Sequence, residues 1–509
     1  MDYRNKLKTS RQTEYQLRCA SAYNNSHGKF YTDFNDDVTG IPYFRGCFTK
    51  SLPHNSNGKV CQEEVVKVLK GVRTCKCYFE QIRYGGNLRL VNPSCIYSWE
   101  LVGPFKSSLE IPPVPSVKSA QVAGEMIELY IMALLRDVPF NDYETHPEVA
   151  RAIKELNNLT DFAGPIHGGR ITPQTLFRGN SNGDLNGFYV SQFLLHPFSH
   201  GISDQKQKYR CDQAFDYMTS WETSLSVQNG IVKEVAPDRF DRRHITNLRD
   251  GCTYVHLDDS LQAGLYASLI LNSLKCPKIV PDCRSDATCK STAGPNKVKE
   301  TMLVDLGGLD LHFLMSEAIR VSMLSAWYHK WNILRIRPEA LSMEIHRTLT
   351  EYSDRSEYGL HHDLLSSNVL KRVFDKYNSY LLPQAYPEGS PCHPAYPAGH
   401  ATFIGAVITI LKAFFDENFM IDAYGPNKDG SKLIPLGYKV KVGDELDKLA
   451  SNIALFRNAA GINYRSDLIG IELGETIAIK ILEEAIHRYT YDVSFKFHRY
   501  NGQFVEISN

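Results

Sequence analysis

From Pro112-Pro113 onward the chain is dominated by stretches in which apolar residues recur every three or four positions, the mark of helices that bury one face. Met126, Leu129, Tyr130, Ala133 and Leu134 pattern the segment Val122 to Arg136, which must end before Pro139. Further helices are expected at Pro147 to Asn158, at Leu261 to Leu274 behind the acidic start Asp258-Asp259-Ser260, and from Leu309 to about Ile333. Tyr386 to Pro397 holds four prolines and reads as a constrained loop running into a buried helix, His400 to Phe415. Asp467 to Arg488 carries Ile469, Leu473, Ile477 and Ile481 on one stripe and reads as the last helix. Residues 1–110 differ: rich in Asn, Gly, Pro and Tyr with weak helical periodicity, they are expected to form an arm of short strands and turns. The expectation is a mainly α protein, an irregular arm over 1–110 followed by a helical domain over 111–509.

Three short segments lie at helix ends or in adjoining loops. The first is Lys330, six residues, then Arg337-Pro338; the second is Pro397-Ala398-Gly399-His400; the third is Arg457, five residues, Asn463, three residues, Asp467. Two guanidinium groups, an ammonium and a glycine amide can surround one tetrahedral, phosphate-like anion with charge-assisted hydrogen bonds. An oxyanion cradle is therefore expected within 330–467.

Composition narrows the partners. Lys+Arg and Asp+Glu both number 57, so no net field draws the chain to nucleic acid or anionic lipid. No greasy stretch is long and charge-free enough to span a bilayer, and Met1 to Ser10 carries no secretory pattern. A soluble protein with no membrane span is expected, in a cytoplasmic or secreted setting that the sequence leaves open. The 12 cysteines avoid the paired C-x-x-C blocks of structural zinc. Cys75 and Cys77, and Cys276, Cys283 and Cys289 within a Pro-rich loop over 275–299, are candidates for cross-links, with free buried thiols the alternative. Asp241, Arg242, Arg243 and His244 read as a solvated charged cluster, Ser181 to Asp184 as a turn, and Asp258-Asp259 as a helix cap.

In order and spacing, the three segments resemble the signature shared by type 2 phosphatidic acid phosphatases and vanadium-dependent haloperoxidases. Segments outside it are similar to the algal and bacterial vanadium bromoperoxidases: Phe48 to Asn55, Glu128 to Phe140, Tyr189 to Phe193, and Ser390 to Ala401. The resemblance runs from the arm to the last helix and implies a fold of two four-helix bundles, commonly assembled into homo-oligomers. It also implies oxidation of halide by hydrogen peroxide at a bound vanadate. Carried over by motif, the oxyanion-binding positions are Lys330, Arg337, Ala398, Gly399 and Arg457; His400 is the acid-base histidine, and His393 lies near the halide path.

Two positions depart from that signature. Ala398 stands where the family has a serine, removing a hydroxyl worth roughly 1–3 kcal/mol in a charged site. Asn463 stands where the family has the histidine that bonds vanadium, and a carboxamide nitrogen has no available lone pair. The same position supplies the nucleophile of the phosphatase branch. Three functions are compatible with this pattern: a haloperoxidase of the bromoperoxidase type holding vanadate without the histidine ligand, an inactive anion-binding or structural homologue that takes phosphate or another oxyanion, and a repurposed acid-base or phosphate-ester enzyme using His400.

Overall fold

The computed structural model describes residues 46–211, 214–233, 242–278, 302–350, 359–489 and 492–509, with scattered positions between 12 and 23. Its helices are α1 (Gln62–Arg73), α2 (Ala120–Leu134), α3 (Pro147–Leu156), α4 (Trp221–Gln228), α5 (Leu248–Leu257), α6 (Gln262–Ser273), α7 (Gly308–Ile333), α8 (Pro338–Thr350), α9 (His362–Leu365), α10 (Asn368–Tyr377), α11 (Gly399–Phe414), α12 (Val442–Ala459) and α13 (Gly470–Ala485). Among the described residues, strands occur in four two-stranded antiparallel ribbons: β1 (Phe198–His200) with β2 (Ser203–Gln205), β3 (Tyr209–Arg210) with β4 (Arg242–Arg243), β5 (Met420–Pro426) with β6 (Leu433–Lys441), and β7 (Ser494–His498) with β8 (Phe504–Ser508). The mainly helical expectation holds.

Helix α11 is the axis of the C-terminal half. It is buried almost throughout and packs against α13, α7 and α12. Its approach to α13 depends on glycine at two positions: a Cβ on Gly474 would lie 1.9 Å from the Thr402 carbonyl oxygen, and one on Gly405 would lie 2.2 Å from that of Ile471. Backbones this close leave no room for side chains. The helix that begins at segment two is thereby fixed against the helix that follows segment three.

Several elements differ from the sequence reading. Within 46–110 the expected strands are replaced by α1 and short 3₁₀ turns, and the described residues there make only isolated bridges, Cys47 to Arg335 and His54 to Val60. Helix α1 buries Val65, Val68, Leu69 and Val72, a spacing of three and four diluted by its lysines and glutamates. With Phe48, Leu52, Phe79 and Ile96 these side chains form a second apolar cluster, closed by Trp331, Leu334 and Cys392 from the helical body. The arm is also tied by charge. Lys50, 1% exposed, donates to Glu339 Oε1 at 2.8 Å and to the carbonyls of Glu388 and Ser390. It thus joins the arm to α8 and to the proline-rich loop.

Other readings are corrected or bounded. His244 is buried and Arg243 pairs with Asp250 at 2.8 Å, so that cluster is not simply solvated; Asp241 lies outside the described residues. Residues 181–184 form a turn in which Ser181 and Asp184 cap one another. The sulfurs of Cys75 and Cys77 are paired, Cys276 is a free buried thiol, and Cys283 and Cys289 lie outside the described residues. Among the described residues no helix is long and apolar enough to cross a membrane.

Candidate oxyanion site

Segment one sits where α7 stops. Leu334 adopts the left-handed conformation at φ 54° and returns its N–H to the Lys330 carbonyl, so the chain reverses through Arg335 and Ile336 to Pro338, the first residue of α8. Lys330 is 0% exposed, and its Nζ donates to the carbonyls of Pro394 and Ala395, each at 2.8 Å. Arg337 donates from Nε to the His393 carbonyl and from Nη1 to the Ile462 carbonyl, both at 2.9 Å, and its Nη2 lies 3.0 Å from His393 Nδ1. Both cations therefore grip the loops that carry segments two and three.

Segment two is the start of α11. Ala398 is its N-cap and supplies no side-chain acceptor, so the first-turn N–H groups have no such cap and add their partial positive charge to the site. A Cβ on Gly399 would lie 3.3 Å from Met323 Cε and 3.5 Å from Trp327 Cζ3, so glycine keeps this corner open. The Trp327 and His393 rings are 4.8 Å apart, and Lys330 Nζ is 5.9 Å from the Trp327 ring.

Segment three spans the end of α12 and the turn before α13. Arg457, in the last turn of α12, donates from Nη1 to the Val255 carbonyl at 3.0 Å and sits 5.6 Å over the Tyr386 ring. Asn463 donates from Nδ2 to the Ala395 carbonyl at 3.1 Å and to Asp467 Oδ2 at 2.8 Å. Asp467 does not cap the final helix. It lies in a 3₁₀ turn, accepts Arg335 Nη1 at 2.6 Å on Oδ1, and takes the Tyr464 N–H on Oδ2.

The cations affect one another. Burial holds Lys330 well below the ordinary lysine range, with Arg337 and Arg457 adding to the effect against Asp467. Burial and Arg457 bring Arg337 down to about 10. His393 is held well below the usual histidine value by burial, Lys330 and Arg337. Burial lowers His400 too, with Arg457 adding and Asp258 opposing. Mutual repulsion of this kind is relieved when an anion enters.

Asp258 is the residue that sequence reasoning missed. Its Oδ1 lies 3.1 Å from His400 Nε2, and its side chain is 4% exposed. It directly follows α5, whose last turn also supplies the Val255 carbonyl to Arg457. No local signal separates it from a helix cap, because its partner lies 142 residues away in the chain. His329 faces away from the cluster and meets the Leu109 carbonyl at 3.0 Å; burial lowers it to about 4.

The donor set fits a tetrahedral oxyanion: three buried cations, a glycine amide at a helix N-terminus, and a histidine oriented by a carboxylate. It offers no nitrogen ligand to a metal at position 463, where the amide nitrogen has two acceptors and no lone pair to give.

The VCPO second helical-bundle domain family matches residues 310–490. A vanadium-dependent bromoperoxidase of Ascophyllum nodosum is 32% identical over 90% of this chain and 86% of its own length. The chain belongs to the vanadium-dependent haloperoxidase family. Its similarity to other vanadium bromoperoxidases is of the same order: that of Corallina officinalis is 30% identical over 93% of this chain and 92% of its own. Among solved structures, the homohexameric second vanadate-dependent bromoperoxidase of A. nodosum superposes with a TM-score of 0.87 at 26% identity, covering 97% of this chain and 90% of the other. This haloperoxidase fold is thus shared over nearly the entire chain.

Proposed function

We propose that this haloperoxidase-family chain oxidises bromide with hydrogen peroxide at a vanadate held by charge and hydrogen bonds alone, at reduced affinity and turnover. Lys330, Arg337, Arg457 and the Gly399 N–H would hold the oxyanion. Ala398 contributes no hydroxyl, and Asn463 stays outside the metal's bonding sphere. The observation that carries this reading is the His400–Asp258 pair set beside three buried, mutually repelling cations.

Vanadate, when bound, supplies the Lewis acid that activates peroxide toward halide. The protein's part is proton handling and exclusion of water. Asp258 accepts from His400 Nε2–H and fixes the tautomer, leaving Nδ1 to take a proton from peroxide and return it to the departing oxygen. Burial and Arg457 hold His400 below the usual histidine value, which favours the neutral form a base requires. His393, packed on Trp327, borders the halide approach. Homo-oligomeric assembly, as in the hexameric A. nodosum neighbour, is part of the proposal.

A second reading, an anion-binding homologue without turnover, is favoured by the committed amide of Asn463. The phosphate-ester alternative is weaker because that residue offers no nucleophile. Bromide-dependent bromination of a phenolic dye after vanadate loading separates the first two. Turnover that disappears in His400→Ala supports the peroxidase; stoichiometric vanadate or phosphate binding with no turnover supports the second reading.

A further inference from the structure

Outside the cradle, the described residues form a cavity of about 430 Å³ between the β1–β2 and β3–β4 ribbons and the facing turns of α5 and α6. This volume lies in the range of small-molecule sites. Its walls are of two kinds. Lys206, Lys208, Arg210 and Arg242 bring four cations against one carboxylate, Asp204, which is occupied by the Ser199 hydroxyl at 2.9 Å. Among the described residues Lys206, Lys208 and Arg242 make no ion pair. The opposite wall is aromatic: Tyr209, Tyr254 and Tyr266, with Tyr209 and Tyr254 edge to face at 4.8 Å and 85°.

Tyr254 lies in this wall, 4% exposed, with the Gln262 side chain beside its hydroxyl. Leu257, 60% exposed at the rim, offers apolar surface for a ring. One residue on is Asp258, the partner of His400.

We propose that this cavity binds a planar aromatic carboxylate, its ring against the tyrosines and its charge on the Lys208–Arg242 side. It shares the last turn of α5 with the oxyanion site, since Tyr254 and Leu257 line the cavity while Val255 and Asp258 meet Arg457 and His400. Bromination of such a guest balances simply: hypobromous acid replaces a ring C–H by C–Br, and its hydroxyl leaves with that hydrogen as water. This use rests on the peroxidase reading above; the binding itself does not.

The test is calorimetric titration of the full chain with 4-hydroxybenzoate in saturating phosphate, which fills the cradle with an anion first. Saturable binding is expected, weakened at least tenfold in Lys208→Ala/Arg242→Ala and at least tenfold for the neutral 4-hydroxybenzyl alcohol. Phosphate binding, unchanged in the double variant, reports that it is folded. No saturable binding under phosphate, or equal affinity in the variant or for the neutral alcohol, overturns the proposal. If the peroxidase reading holds, KM for 4-hydroxybenzoate rises in the variant while KM for a neutral phenol does not. Failure of turnover alone bears on the peroxidase and leaves the calorimetric result to decide the cavity.

Discussion

The Asn463 amide donates to Asp467 Oδ2 at 2.8 Å, and the other oxygen of that carboxylate is held by Arg335 at 2.6 Å. Residue 463 is therefore clamped by a carboxylate that is itself immobilised in a buried pair, with Arg335 3.9 Å over the Tyr464 ring. An imidazole at this position would inherit the same orienting acceptor and present its second nitrogen. Asparagine inherits the clamp through Nδ2, which has no lone pair to give a metal, so no nitrogen ligand is presented. We therefore expect Asn463→His with Ala398→Ser to raise both vanadate affinity and bromide-oxidising turnover by at least tenfold, read by vanadate titration and dye bromination. Unchanged activity in a folded variant would mean that these positions do not face the oxyanion.

Asp258 pairs with His400 at 3.1 Å and is not one of the oxyanion-holding groups of the proposal. Asp258→Asn is expected to lower turnover by roughly 10- to 100-fold while changing oxyanion affinity less than threefold. The carboxylate raises the histidine's affinity for a proton against burial and Arg457. Its loss should move the acid limb of the pH–rate profile to lower pH. A profile that stays in place would make Asp258 merely structural.

Oxyanion entry should draw in protons. Lys330 and His400 are both held below their usual values, first by burial and then by neighbouring cations. An anion favours their charged forms, so binding raises both and is coupled to uptake. At pH 8, phosphate titrations in buffers of different ionisation enthalpy should show net proton uptake, and affinity should strengthen from pH 9 toward pH 7. Lys330→Met should reduce the uptake. Net proton release would contradict the charge arrangement.

The arm is held to the site by Lys50 on Glu339, both 1% exposed. Lys50→Met leaves that carboxylate buried with Gln228 and Ser390 as its remaining side-chain donors. A loss of about 3–5 kcal/mol is expected. Chemical denaturation measures it, and adding Glu339→Gln should recover part of the loss. A neutral Lys50→Met would show that the arm is anchored by its apolar cluster alone.

What the sequence made legible was what depends on local spacing. Apolar residues at three and four placed α2, α3, α6, α7, α11 and α13 within a few residues of their observed ends. Helix α12 gave no such stripe: it is buried on all sides, and Glu445, Asp447, Lys448, Asn452 and Asn458 lie inside with Leu446 and Ile453. Its polar residues bond to distant segments, as Asn452 does to Ser191 and Tyr189, so its pattern resembles neither a surface nor a core helix. Lys330, Arg337, His400 and Arg457 could be proposed from sequence because their types and order match a motif. Asp258 was not, since its meaning depends on a partner that only the tertiary fold brings near.

This cradle is expected to hold its oxyanion without a protein nitrogen bonded to the metal. X-ray absorption at the vanadium edge of the vanadate-loaded protein tests it most directly. The prediction is an all-oxygen shell with no imidazole scattering, and a nitrogen contribution that emerges only in Asn463→His. An imidazole nitrogen bonded to vanadium in the unaltered protein would contradict it.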